Sequence, residues 1–289
     1  MIKMVVSDMD GTLLNASSTI SSGNLKAIHQ LLDHHIDFVI ASGRDYQGVY
    51  SIIKHYGLQC EAILGNGAQY VNKDGKVQMS CYMNKNTIKD VVSIFNTKHI
   101  PYMIFTTDGF YTGHSPEFVR QAFIQRGIQR FHEDPLKYEK GGQFEGVPCN
   151  YLQHITDFDE FLKCEIDIIK VEAFSLTPKQ IQEVQYLLKK ISQISYLSSF
   201  DDNIEVTHQD AQKGYILEKV IKEKGISKEE VVVLGDGMND LSLFECFPYS
   251  YAPQNAEQEI KDLAYRVVKD CKSDGFQEAI EDVFKDLVD

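Results

Sequence analysis

A chain of 289 residues with 43% apolar and 25% charged residues is long enough for one large or two ordinary domains, and it can bury roughly three quarters of its unfolded surface without a disulfide or a structural metal. Its formal charge of −13 and sequence pI of 5.1 argue against nucleic acid and anionic membranes as partners, since both need a basic surface. An anionic substrate is not excluded, because a bound metal ion can make one site locally positive.

In chain order, the β-branched run Lys3–Ser7 reads as a buried strand. Ser22–His35 carries Leu25, Ile28, Leu31 and Leu32 at helical spacing, and Ile36–Ala41 is the next strand. Tyr46–Tyr56 is helical and Glu61–Leu64 is a third strand. Strands alternating with helices predict βαβ units and a parallel sheet covered on both faces. At Gly65 the texture changes: turn signals surround Gln69–Val71 and Lys76–Met79, which read as a hairpin leaving the sheet.

Residues from Tyr82 to Thr207 read differently. Helices are expected at Thr87–Lys98, Pro116–Gln125 and Pro178–Ile191, and a strand at Ile166–Phe174. Hairpins are expected around Thr107-Asp108-Gly109 and Asp201-Asp202. Hairpins mixed with helices predict an α+β insertion. The first texture returns with the helix Tyr215–Lys224, the strand Glu230–Leu234, the short helix Leu241–Cys246, the strands Tyr249–Ala252 and Arg266–Lys269, and the helix Asp274–Leu287. The expected fold is α/β: a Rossmann-like parallel-sheet core from residues 1–81 and 208–289, with an inserted α+β cap domain over residues 82–207.

Three polar clusters directly follow buried-type strands: Asp8-Met9-Asp10-Gly11-Thr12, Ser42-Gly43-Arg44, and Gly235-Asp236-Gly237-Met238-Asn239-Asp240. Open α/β sheets bind ligands outside the carboxyl ends of their strands, so these distant clusters are expected to meet along one edge. Asp8, Asp10 and Asp236 would bring carboxylates together, at a cost unless a cation neutralises them. All-oxygen ligands suit a hard cation, and Mg²⁺ is expected; such an ion typically also contacts substrate phosphate. Gly11, Gly43 and Gly237 let backbone N–H groups approach an anion, Thr12 and Ser42 add hydroxyls, and Lys213 supplies a positive charge. Together these groups supply the positioning, charge neutralisation and acid/base chemistry of phosphoryl transfer.

Asp8-Met9-Asp10-Gly11-Thr12-Leu13-Leu14 resembles the first motif of the haloacid dehalogenase superfamily. Ser42-Gly43-Arg44 resembles the second motif, Lys213-Gly214 the third and Gly235–Asp240 the fourth, in order over nearly the whole chain. The large insertion between the second and third motifs is similar to the Cof-type subfamily. The resemblance implies a phosphatase in which Asp8 is the nucleophile and becomes aspartyl-phosphate. Asp10 would protonate the leaving alcohol and then activate water. Mg²⁺ would be held by the Asp8 carboxylate, the Asp10 backbone carbonyl and Asp236. Ser42 and Lys213 would hold the transferring phosphoryl group, with Asn239 near it, and Asp240 would orient other groups. Where members often carry Gly before an Asn-Ala pair, this chain has Ala252-Pro253-Gln254-Asn255-Ala256; Asn255 is the matching phosphate-side residue. The insertion matches no motif. Implied substrates are sugar phosphates or similar small phosphomonoesters, with a cap that closes over the site and selects among them.

Several residues carry two readings. Arg44 is either a substrate contact or a structural ion pair. Asn66-Gly67 either lines the site or only makes a tight turn. Asp240 also suits a helix start. Arg120, Arg126 and Arg130 could grip an anion, but a solvated helix face is the expectation. His34-His35 and His114 are read as surface histidines, and Tyr138–Phe144 as either a substrate-facing loop or a connection. The six cysteines (Cys60, Cys81, Cys149, Cys164, Cys246 and Cys271) form no C-x-x-C pair and read as free thiols in a reducing compartment. A signal-peptide core would not hold Asp8 and Asp10, and no apolar run approaches the about 20 residues of a membrane span. A cytoplasmic monomer or weak homo-oligomer acting on a small molecule is expected. The rival readings are a phosphomutase on the same fold, which the compact Gly235–Asp240 motif argues against, and a non-enzymatic sensor, which would need no nucleophile.

Overall fold

The computed structural model describes residues 1–139, 147–198 and 200–286. The chain divides into two compact units, Met1–Cys81 with Asp210–Asp289, and Tyr82–Gln209. The first unit opens with β1 (Met4–Ser7), α1 (Ser22–Asp33), β2 (Asp37–Ala41), α2 (Tyr46–His55), β3 (Glu61–Leu64), β4 (Gln69–Val71) and β5 (Val77–Ser80). The second unit holds α3 (Lys85–Thr97), β6 (Tyr102–Thr106), β7 (Gly109–Thr112), α4 (Pro116–Phe131), β8 (Leu152–His154), α5 (Phe158–Phe161), β9 (Ile168–Phe174), α6 (Pro178–Leu188), β10 (Ile194–Leu197) and β11 (Asn203–His208). The chain then returns through α7 (Lys213–Lys224), β12 (Val231–Leu234), α8 (Leu241–Cys246), β13 (Tyr249–Pro253), α9 (Gln258–Leu263), β14 (Arg266–Val268) and α10 (Gly275–Asp286).

The first unit is built on one eight-stranded sheet in the order β14-β13-β12-β1-β2-β3-β4-β5. The strands from β14 to β3 run parallel, so their carboxyl ends share one edge. β1 and β12 sit mid-sheet, and every residue of MVVS and VVVL is buried; a strand covered on both faces needs a continuous apolar run of this kind. Alternate residues serve opposite faces. Val5, Phe38 and Ile40 pack with Ile28, Leu31, Phe276 and Ile280 of α1 and α10, while Met4, Val6 and Val39 pack with Leu217, Val220 and Leu243 of α7 and α8. The segment Gln69–Ser80 does not leave the sheet, as the turn signals had suggested. The Gly65–Gly67 turn sends β4 back antiparallel along β3, and β5 pairs with β4 as the sheet's edge.

The second unit is a six-stranded sheet in the order β10-β11-β9-β6-β7-β8, antiparallel except for β7 with β8. Val171, Ala173, Ile104 and Val206 pack with Val91, Phe95, Ile181 and Val184 of α3 and α6. α4 runs to Phe131, past the expected end at Gln125. Its arginines do not form a solvated face. Arg126 makes a buried bidentate pair with Asp202, Arg130 reaches Asp201 at 2.5 Å, and Arg120 donates to Asn150 Oδ1 at 2.9 Å. His114 is also not a surface residue: half-buried, its ring lies edge-on to Tyr102 and bonds the Ile100 carbonyl, and burial lowers its pKa. His34 and His35 are exposed. Most of the Tyr138–Phe144 stretch lies outside the described residues. All six cysteines are free thiols, and no helix among the described residues is long and apolar enough to cross a membrane.

Candidate active site

The three polar clusters converge because parallel register forces them to. Ser7 pairs with Leu234 on one side and Ile40 on the other, so Asp8, Gly235 and the Ser42 loop leave the sheet at neighbouring strand ends. Asp8 stays tied to the sheet through its N–H, which donates to the Leu234 carbonyl at 2.9 Å. The chain then turns back on itself at Gly11. There φ is +82°, in the left-handed region, and a Cβ would collide with the Asp236 carboxylate; glycine is required for both reasons.

Lys213 is the first residue of α7, and its side chain is fully buried. Its Nζ donates to Asp8 Oδ1 at 2.6 Å and to Asp240 Oδ1 at 2.6 Å. Asp240 is itself buried, and its Oδ2 accepts from the N–H groups of Asp236 and Gly237 at 3.0 and 3.1 Å. Both Asp240 oxygens are therefore engaged by the protein, which gives it the job of holding Lys213 and the turn after β12. Asp236 accepts a hydrogen bond from the Thr12 hydroxyl at 3.0 Å.

Charge is not balanced here. Burial pushes the Asp8 carboxyl well above its ordinary range, and Lys213 only partly offsets this while Asp240, Asp236 and Asp10 add to it. Burial and then Asp240 push Asp236 up to about 7. Burial alone would lower the Lys213 ammonium, but Asp240 and Asp8 outweigh it and hold it above its ordinary value. The directions agree: one ammonium serves too many carboxylates, so the lysine is firmly charged and the acids lack positive charge. One oxygen from each of Asp8, Asp236 and Asp240 lies within 4.8 Å of the others. This all-oxygen, cation-deficient set fits a hard divalent metal ion. Since Asp240 is spent on Lys213 and two N–H groups, Asp8 and Asp236 are the side chains suited to hold it.

The other expected residues lie on the same edge. Arg44 forms a fork on the half-exposed Asp10 carboxylate, with Nε at 2.7 Å from Oδ2 and Nη2 at 2.5 Å from Oδ1. Of the two readings of Arg44, the ion pair is therefore made, and made with a site residue. The buried Ser42 Oγ accepts from the Arg44 N–H at 3.2 Å. Asn239 donates from Nδ2 to Asn66 Oδ1 at 3.3 Å. Asn255 is bonded at both ends of its amide, donating to the Gly11 carbonyl at 2.7 Å and accepting from the Cys271 N–H at 2.9 Å. Its contacts clamp the Asp8–Thr12 loop to the chain after β14. Asn66 itself, left with two readings by the sequence, is buried against the Ser42–Arg44 loop; its signal was a non-glycine residue inside a Gly-Asn-Gly turn.

A parallel-sheet core that carries, at its carboxyl edge, an aspartate paired with a buried lysine and a cation-deficient set of carboxylates has the parts of a phosphoryl-transfer hydrolase. The chain matches the haloacid dehalogenase-like hydrolases over residues 5–280, and it belongs to that family. It is 26% identical over 265 residues to the phosphatase YwpJ of Bacillus subtilis, covering 91% of this chain and 93% of that one. It is 25% identical over 280 residues to the 5-amino-6-(5-phospho-D-ribitylamino)uracil phosphatase YwtE of Bacillus subtilis, covering 95% of each. A haloacid dehalogenase-like hydrolase from B. subtilis superposes with a TM-score of 0.82 at 25% identity, over 99% of this chain and 100% of that chain.

Proposed function

We propose that this protein hydrolyses small phosphorylated metabolites with Mg²⁺, through an aspartyl-phosphate on Asp8. The observation that carries the proposal is the buried Asp8–Lys213–Asp240 relay beside Asp236, a site with a nucleophile, a fixed cation and a deficit of positive charge. Mg²⁺ would be held by Asp8, the Asp10 carbonyl and Asp236 and would supply further positive charge for the substrate phosphate. The Asp8 carboxylate attacks phosphorus in line, and the bond to the leaving oxygen breaks. Lys213 neutralises Asp8 as the dianion arrives, and Ser42 with the N–H groups near Gly11, Thr12 and Gly43 bind the phosphoryl oxygens. Asp10, loosened from the Arg44 fork and protonated from solvent, gives that proton to the leaving alkoxide; it later takes one from the water that attacks the phosphoryl group and frees Asp8.

The unit Tyr82–Gln209, inserted in sequence between Arg44 and Lys213, is assigned the role of substrate-selecting cap. A sugar or polyol phosphate is the favoured class, supported by the ribityl phosphate named for one relative. The net charge of −13 and the free thiols suit a small-molecule enzyme of the cytoplasm. The test is phosphate release from a panel of phosphomonoesters, with and without Mg²⁺, by wild type and Asp8→Asn. Mg²⁺-dependent release lost in Asp8→Asn supports the reading; no release from any member overturns it, and isomerised product without free phosphate would replace it with a mutase.

A further inference from the structure

Asn66 has an unusual place for a polar, non-glycine residue. It follows β3 at the carboxyl edge, is 3% exposed, and has φ 58° and ψ 28°, the left-handed region. Asn tolerates that conformation better than most side chains, but of the seven left-handed non-glycine residues among those described Asn66 alone is buried. A turn alone would be made at lower cost by a third glycine between Gly65 and Gly67.

The contacts show what the side chain adds. Its Oδ1 accepts from Asn239 of the turn after β12 at 3.3 Å. The same oxygen lies so close to Gly43 that a Cβ there would stand 2.7 Å from it. The Asn66 N–H donates to the Ser42 carbonyl at 3.1 Å, and the neighbouring Gly65 N–H donates to the Arg44 carbonyl at 3.0 Å. At Gly67, φ is +103° and a Cβ would stand 2.5 Å from the Gln212 backbone, one residue before Lys213. The Gly65–Gly67 turn thus touches the Ser42–Arg44 loop and the entrance of α7, and the Asn66 side chain extends the connection to Asn239.

We propose that Asn66 is a positioning residue for phosphoryl transfer: its amide fixes Asn239 and the Ser42-Gly43 loop relative to one another and thereby sets the phosphate cradle opposite Asp8. The proposal rests on the phosphatase reading above. Positioning of this kind acts on the chemical step more than on ground-state binding, and a misplacement of about 1 Å costs on the order of 10²-fold.

The test compares Asn66→Gly, Asn66→Ala, Asn239→Ala and the double variant Asn66→Ala with Asn239→Ala, by melting temperature and by kcat and KM on p-nitrophenyl phosphate with Mg²⁺. Asn66→Gly keeps the left-handed turn and removes only the amide. It is expected to melt within a few degrees of the wild-type temperature, because relief of the left-handed conformation offsets the lost bond, while kcat falls by about 10- to 100-fold and KM moves by less than about threefold. Asn66→Ala is expected to lose both kcat and melting temperature, and the double variant to be no slower than the slower single variant, because the two amides act as one unit. An Asn66→Gly enzyme within about twofold of wild-type kcat, or fully additive losses in the double variant, overturns the proposal and leaves the phosphatase reading intact. A wild type that never turns over overturns both.

Discussion

Lys213 donates from a fully buried ammonium to Oδ1 of Asp8 at 2.6 Å, an ion pair that joins residues 205 positions apart in the chain. The same ammonium holds Asp240 at 2.6 Å, so removing it strands two buried carboxylates together. Breaking a buried ion pair from one side costs about 3–5 kcal/mol. Lys213→Met is therefore expected to lose stability of that order near pH 7.5, and less near pH 5, because a carboxyl raised as Asp8 is takes up a proton more readily than an ordinary one as pH falls. Its turnover should fall by about 10²–10³-fold or more. Urea denaturation at the two pH values checks the first part; equal losses at both would contradict it.

Burial and Asp240 raise the Asp236 carboxyl, and a pH-dependent affinity for Mg²⁺ is the expected consequence. The folded Asp236 carboxyl titrates at about 7 against an ordinary 3.8. A raised carboxyl gives the metal-free protein stability that is fully present below its unfolded pKa and is lost as pH rises through the folded one. A cation must displace that proton, so Mg²⁺ binding near pH 5.5 should be weaker than near pH 8 by about tenfold or more. The rise in melting temperature with excess Mg²⁺ is expected to be larger near pH 8. An equal rise near pH 5.5 would place the ion away from Asp236.

Arg44 is fixed on Asp10 by two parallel hydrogen bonds, a geometry that only a guanidinium makes. Arg44→Lys keeps the charge and loses the fork. We expect kcat to fall by about tenfold or more in Arg44→Lys and Arg44→Ala alike, because the orientation of Asp10, not the charge alone, is lost. Full activity in Arg44→Lys would show that the fork is dispensable.

The pair Arg126–Asp202 makes a corresponding prediction for the second unit, where both side chains are below 10% exposure. Arg126→Ala should destabilise the protein by at most about 3–5 kcal/mol, since Arg130 Nε stays 3.7 Å from the Asp202 carboxylate, and the apolar double replacement Arg126→Met with Asp202→Leu should recover part of it, because a poorly paired buried charge costs more than an apolar pair. Thermal unfolding of the three proteins checks the order.

The central strands were legible because burial on both faces demands the runs MVVS and VVVL, and the chemistry was legible because polar clusters follow them directly. Three short elements were not: β8, α5 and α9 are too short to show a period, and tertiary contacts make them. The edge role of β4 and β5 depends on a turn whose direction is set by left-handed residues, and composition alone does not give that direction. Within the site, residue types suggested which side chains gather but not how they pair. That Arg44 would take Asp10, that Asp240 would divide its oxygens between Lys213 and two N–H groups, and that Asn255 would spend both ends of its amide on backbone all follow from register between strands far apart in sequence. The arginines of α4 misled for the same reason: the partners of Arg126 and Arg130, Asp202 and Asp201, and that of Arg120, Asn150, lie far along the chain.

The most direct measurement is a single turnover of p-nitrophenyl [³²P]phosphate with Mg²⁺, quenched in acid, for wild type, Asp10→Asn and Asp8→Asn. This leaving group departs without protonation, so Asp10→Asn should still form the covalent species and, lacking its base, fail to hydrolyse it. The account predicts protein-bound, hydroxylamine-labile label on Asp8 in Asp10→Asn, less in wild type and none in Asp8→Asn. Turnover with no label in any of the three, or label that persists in Asp8→Asn, would contradict it.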